Sequence, residues 1–219
     1  MNNYLKWLSA NTESVWWHDS ADIDELNTAL ENGTVGVTTN PVLVMRAIYN
    51  NPKFWKPYLK DMPEGITGTE KSLEIIRRVT VEIAKIMAPI YEKTKGKQGY
   101  VCAQVAPKYA SNRDEMIKMV RQLHSWAPNI AVKIPATAAG LDVLEQCVAE
   151  GITITATVSF TLPQAVEIGR RYQIGVEKAR KQGVTPGRCY ALVMVGRIDD
   201  YIRDVIHDNK IPGIQENDL

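Results

Sequence analysis

Short apolar runs alternate with stretches of helical spacing along almost the whole chain. Ser14-Val15-Trp16-Trp17-His18-Asp19 reads as a strand, and Ile23 to Leu30 then keeps helical spacing until Asn32-Gly33 stops it. Val35 to Thr39 predicts a second strand, ending at Asn40-Pro41. An insertion over about 42–98 follows: Asn50-Asn51-Pro52 and Pro57 break it, and Thr69 to Tyr91 predicts a long amphipathic helix bent at Pro89. Tyr100 to Val105 is the third strand, and Ser111 with Asp114 resembles a cap for a helix over Glu115 to Leu123. Ile130 to Pro135 is the fourth, and its following helix carries Leu141, Leu144, Cys147 and Val148 close to one face. Ile152 to Val158, rich in β-branched residues, is the fifth strand. A helix from Pro163 to about Lys181, a sixth strand from Cys189 to Val195 and a short amphipathic helix from Ile198 to His207 complete the pattern.

One residue breaks it. Lys133 sits between Val132 and Ile134 in a run that reads as a buried strand, bounded by Pro128-Asn129 and Pro135-Ala136-Thr137. Lysine is almost never fully buried unless something pairs with it or uses it. Desolvation penalises an ammonium and makes the amine a better nucleophile, which is how Schiff-base lysines are activated. The rival reading is an edge-strand lysine that reaches out to water.

Strands that are each followed by a helix imply a parallel sheet with its crossovers outside. No glycine-rich turn follows the first strand, which weakens a doubly wound dinucleotide-binding sheet. Asp19, Asn40, Gln104, Lys133 and Thr157 stand at the ends of successive strands, which converge on one mouth in a barrel. An α/β barrel of (β/α)8 TIM type is therefore expected, with about six of its eight βα units present.

Composition narrows the function. Lysine plus arginine number 26 against 25 acidic residues, so no basic face points to nucleic acid and no polybasic segment to a membrane. The N-terminus lacks the apolar core of a signal peptide, and no stretch approaches the roughly 18 apolar residues of a spanning helix. Cys102, Cys147 and Cys189 are widely separated in apolar runs and read as reduced core thiols of a cytoplasmic protein. His18, His124 and His207 fall at no metal-binding spacing, so no metal site is expected.

Gly36-Val37-Thr38-Thr39-Asn40-Pro41 and Val132-Lys133-Ile134-Pro135-Ala136-Thr137, followed by Gly140-Leu141, resemble the second- and fourth-strand motifs of the transaldolases. Asp19 matches that family's strand-one aspartate, Thr155 to Phe160 leading into Gln164-Ala165 resembles its fifth-strand segment, and Val195-Gly196-Arg197-Ile198 its sixth. The resemblance runs in order from about Trp16 to Asp199. It implies an enzyme of the pentose phosphate type in which Lys133 forms a Schiff base with a ketose and a dihydroxyacetone unit is transferred or released. No metal or organic cofactor is implied, because the protonated imine is the electron sink.

The same resemblance makes Asp19 the proton-moving group, against a plain reading as a helix N-cap. It has Asn40 hydrogen-bond substrate hydroxyls, with Thr39 and Thr155 beside it in the binding set, against a turn role for Asn40 before proline. Thr157 would orient a catalytic water, and Arg197 would grip a phosphate, against a surface salt bridge. The partners implied are sugar phosphates; a homo-oligomer stays open.

Three departures from the family pattern stand out. Gln104 occupies the place of a glutamate, and an amide cannot take a proton from water. The fructose-6-phosphate aldolase branch also has a glutamine there but relies on a strand-six tyrosine, where this chain has Met194; Leu192 replaces a small or hydroxyl residue near the phosphate. Finally, no seventh or eighth strand is read before Leu219, so one barrel domain over 1–219 would be shortened. A truncated product is the preferred explanation, ahead of completion by another chain or an unforeseen cap. The competing functional reading is a non-catalytic remnant that binds sugar phosphates or another subunit. Another Schiff-base aldolase, of deoxyribose-phosphate type, does not account for Thr38-Thr39-Asn40-Pro41.

Overall fold

The computed structural model describes residues 4–209. They fall into two compact units, one holding the residues up to Ala106 with Asp114–Lys133, the other Pro107–Arg113 with the residues from Ile134 onward.

The first unit contains helices α1 (Tyr4–Asn11), α2 (Ile23–Glu31), α3 (Pro41–Asn50), α4 (Pro52–Trp55) and α5 (Gly68–Lys93), and most of α6 (Arg113–His124). Its strands are β1 (Gly36–Val37), β2 (Tyr100–Gln104) and β3 (Ile130–Pro135) as far as Lys133. β1 pairs with β2 and β2 with β3, both parallel, with Val37 opposite Val101 and Val101 opposite Ile130. Val101, Cys102, Ala103, Ile130, Ala131 and Val132 are at most 1% exposed. Burial on both faces is what helix-covered parallel strands require, and it explains their continuous apolar runs. Val79, Ile83 and Met87 of α5 and Met116, Val120 and Leu123 of α6 are fully or almost fully buried. Asn129, 2% exposed, donates from one amide to the carbonyls of Ala84 and Gly99, both at 2.9 Å.

The insertion has a small core of its own. Asn51 caps α4 through its side chain, and Phe54, Trp55 and Tyr58 meet at ring-centroid distances of 4.9–5.7 Å. Arg78 of α5 donates to the carbonyls of Tyr58, Lys60 and Asp61 and so fastens the following loop. Glu74 aims that arginine from one turn earlier, at 2.7 Å, and its paired guanidinium groups hold its carboxyl down at about 2. A Thr67–Glu70 capping box starts α5, which continues through Pro89 to Lys93.

The second unit contains α7 (Ala138–Ala149), β4 (Ile154–Ser159), α8 (Leu162–Lys181), β5 (Cys189–Val193) and α9 (Val195–Asp208). β4 and β5 are parallel, with Ile154 opposite Cys189, and slip register between Ala156 and Ser159. Arg171 of α8 reaches Asp142 at 2.8 Å and Glu145 at 3.0 Å on α7, tying the two helices together.

Three expectations are corrected. The first predicted strand survives only as a parallel bridge between His18 and Val37, leaving five strands among the described residues instead of six. Ser14 and Val15 are exposed, and the two-residue β1 offers a ladder too short to extend them. α6 begins at Arg113, so Asp114 lies inside its first turn and Ser111 stands two residues outside it. Val195 opens α9 and does not extend β5.

Asn129→Leu removes a donor that satisfies two buried carbonyls. We expect a loss of roughly 2–6 kcal/mol in urea unfolding, since each unsatisfied buried group costs about 1–3 kcal/mol. An unchanged midpoint would show that the amide is not what joins α5 to the start of β2.

Candidate active site

Lys133 is the fourth residue of β3 and lies in register with Gln104 at the end of β2. Residues in parallel register share a face, so both side chains project to the same side. Lys133 is half-buried, whereas Val132 and Ile134 are 0% and 1% exposed. The lysine of this otherwise buried run is thus only half-buried. Its Nζ donates to Thr38 Oγ1 at 3.3 Å, and its carbonyl accepts from the Val105 N–H at 3.0 Å.

Alternation explains why Thr38 and not Thr39 meets the lysine. Val37 pairs with Val101 on the helix-facing side, so Thr38 falls with Gln104 and Lys133, and Thr39 falls behind. Thr39 is 1% exposed and donates to the Cys102 carbonyl at 3.0 Å, which makes it a fastener of the wall. Asn40 caps α3, its Oδ1 accepting from the N–H groups of Val42 and Leu43 at 2.9 and 3.0 Å. That cap does not use its amide NH2, which can still donate.

Asp19 is exposed and directly follows the bridge residue His18. His18 faces as Val37 does, so alternation sends Asp19 to the side of Thr38. The N-cap role that competed for Asp19 belongs to Asp22, which accepts from the N–H groups of Asp24 and Glu25. Burial holds the His18 imidazole below its ordinary pKa against the pull of Glu25, Asp19 and Asp22, so it is neutral at neutral pH.

Two glycines of the motifs have steric causes. A Cβ on Gly36 would come within 2.4 Å of the Trp17 ring, which lies over β1 and holds the bridge segment against it. A Cβ on Gly140 would come within 1.9 Å of the Pro135 carbonyl, so the first turn of α7 can close onto the end of β3 only with glycine there. Thr137 caps that turn, accepting from Gly140 N–H at 3.1 Å and donating to the Ala110 carbonyl at 2.6 Å.

The second unit carries the remaining predicted residues. Thr155 and Thr157 are two apart on β4 and 2% and 6% exposed. Thr157 Oγ1 lies 3.9 Å from the Met194 sulfur, and its carbonyl accepts from Ala136 N–H at 2.7 Å. Arg197 is in the first turn of α9 with 72% of its side chain exposed, 3.7 Å from Asp200. An exposed pair at that distance contributes little, so the guanidinium is loosely held. The Cys189 thiol, pushed up to about 12 by burial, is no competing nucleophile at neutral pH. Among the described residues no cluster of three His, Cys, Asp or Glu side chains is placed to hold a metal, and no helix is long and apolar enough to cross a membrane.

Thus the first unit joins Lys133, Gln104 and Thr38, with Asp19 next to the bridge, and the second joins Thr157 to Met194. Thr38 is the residue that reading by motif overlooked; the period-two alternation of its strand was the available signal.

A family model described as transaldolase/fructose-6-phosphate aldolase matches residues 16–217. The chain belongs to this family. Transaldolase 2 of Streptomyces coelicolor is 30% identical over 215 residues, which cover 92% of this chain and 57% of that protein. Transaldolase 2 of a Nostoc species is 30% identical over 230 residues, 99% of this chain and 59% of its own. The transaldolase of Acidothermus cellulolyticus is 30% identical over 211 residues, 91% and 56%. The chain thus spans a little under three-fifths of the length of these relatives. Five parallel strands alternating with helices fit an incomplete barrel of the TIM type in this family.

Thr38→Val keeps the shape of the side chain and removes the hydroxyl that accepts from the lysine head. We expect stability within about 1 kcal/mol of wild type, the value of one ordinary hydrogen bond. Reductive trapping of a keto sugar at Lys133 should slow by about tenfold, the effect of roughly 1.4 kcal/mol on a barrier. Trapping at the wild-type rate would remove Thr38 from the site.

Proposed function

We propose that this chain acts on ketose phosphates through a Schiff base on Lys133, moving a dihydroxyacetone unit to an acceptor aldehyde or releasing it. The observation that carries the reading is the half-buried Lys133, held at 3.3 Å by Thr38 on the face it shares with Gln104. The neutral amine adds to the ketose carbonyl carbon, and loss of water leaves a protonated imine. That cation draws the electrons of the neighbouring carbon–carbon bond as the hydroxyl proton beyond it passes to a base, so an aldehyde departs and an enamine remains. The enamine carbon then attacks the acceptor carbonyl, whose oxygen takes a proton, or is itself protonated; water restores the amine in either case.

Asp19 is the carboxylate proposed to move the hydroxyl proton, because Gln104 can orient a water but not accept its proton. Asn40 would donate its free amide hydrogens to substrate hydroxyls, and Thr39 would support it from within the wall. Thr155 and Thr157 would serve in the second unit, Thr157 by orienting water, and Arg197 would receive a phosphate, as the family resemblance assigns. A place in pentose phosphate metabolism and a cytoplasmic setting belong to the same proposal. The non-catalytic alternative is favoured by Gln104 and Met194, neither of which can accept a proton.

Lys133→Met decides between them. With fructose 6-phosphate as donor and erythrose 4-phosphate as acceptor, wild type should turn over while Lys133→Met loses all carbon–carbon chemistry with an unchanged circular dichroism spectrum. Equal turnover in the variant would remove the Schiff base, and an inactive wild type that still binds the donor would favour the remnant.

A further inference from the structure

His18 joins the segment that carries Asp19 to the strand end that carries Thr38. Its N–H donates to the Gly36 carbonyl at 2.9 Å, and its own carbonyl accepts from the Thr38 N–H at 2.8 Å. The buried Thr34 hydroxyl also accepts from the His18 N–H, at 3.1 Å. With the Val35 N–H donating to the Trp16 carbonyl at 3.1 Å, the ladder between the two segments has three backbone bonds among the described residues. A ladder that short depends on its side chains to hold it.

Two rings supply that hold from opposite faces. Trp17 lies over Gly36 on one face, and the His18 ring enters on the other, where Val37 is fully buried. The His18 Nε2 is buried there with no hydrogen-bond partner among the described residues. An apolar side chain would fill the place without stranding a polar atom, so the imidazole calls for an explanation. In a charged imidazole both nitrogens are donors, and the buried one would then carry an N–H with no acceptor. Burial accordingly holds the ring below its ordinary value of 6.5. The charges acting on it are the carboxylates of Glu25 and Asp22, from the start of α2, and of its neighbour Asp19; β1, being Gly36–Val37, brings none. Asp22 is committed to capping α2, whereas Glu25 and Asp19 are exposed and draw a charged ring outward.

We infer that His18 is a positioning residue of the site, a latch whose neutral ring holds Asp19 and Thr38 on the face of Lys133 and whose protonation lets them go. The consequence for catalysis rests on the proposed reaction; the latch itself does not. The unfolded ring binds its proton at the ordinary value and the folded ring at a lower one. The hold is therefore complete above pH 6.5 and is lost as the pH falls below it. Carbon–carbon cleavage then declines in acid for a reason separate from protonation of Lys133.

Native-state hydrogen exchange at the Thr38 amide reads the latch without any substrate. Corrected for the intrinsic pH dependence of exchange, its protection in wild type should fall about tenfold between about pH 8 and about pH 5, an opening easier by roughly 1.4 kcal/mol. His18→Leu leaves an anchor that cannot titrate, so its Thr38 protection should stay level over that range. His124, also held low by burial, is present in both proteins, so the difference between them reports His18. Turnover of wild type relative to His18→Leu should fall about tenfold over the same range. Protection that falls equally in both proteins, or stays level in both, would overturn the inference. Should His18→Leu not fold, the ring signal of wild-type His18 decides by nuclear magnetic resonance: a midpoint at or above 6.5, or one that the Thr38 amide does not follow, overturns it as well. A wild type without turnover would remove the proposed reaction and leave the exchange result standing, so the two readings fail separately.

Discussion

The parallel register of β1, β2 and β3 is the constraint on which the candidate site depends. It sets Gln104 beside Lys133, and alternation along β1 brings Thr38 to the lysine head. A slip of one residue would exchange the faces, sending Lys133 among the helices and Val132 or Ile134 to its place. Burial of Val101, Ala103, Ile130 and Val132 opposes that slip strongly, because it would set the Lys133 ammonium among them. The apolar residues around the lysine therefore hold it in position as well as lowering the polarity about it.

Several motif residues serve that register and not a ligand. Thr39 locks the end of β1 to the Cys102 carbonyl, Gly36 makes room for Trp17, and Gly140 lets α7 close on Pro135. Asn40 caps α3 with its amide oxygen, a role that does not use its nitrogen. A motif that looks like a list of contacts to substrate is thus largely a way of building a strand end that can hold one.

Much of this was legible beforehand because burial on both faces writes continuous apolar runs. The apolar run Ile130–Pro135 coincides with β3 to the residue for that reason, and the helical spacing of Thr69–Tyr91 and Pro163–Lys181 nearly matches α5 and α8 because it is long. The segment before His18 was overread: Val15, Trp16 and Trp17 have strand composition, but pairing depends on a partner, and β1 has only two residues to give. The capping of α2 by Asp22 and not Asp19 was not legible, as two aspartates three apart are chemically equal until the helix start is known. Thr38 was missed for a different reason. Motif resemblance names residues without their direction, and only the alternation of faces separates it from Thr39.

Most direct for the central claim is reduction with borohydride in the presence of fructose 6-phosphate, followed by intact-mass and peptide-level spectrometry. The account predicts a single adduct, on Lys133, formed in preference to the many lysines exposed on the helices. An adduct scattered over surface lysines, or none on a demonstrably folded chain, would contradict it.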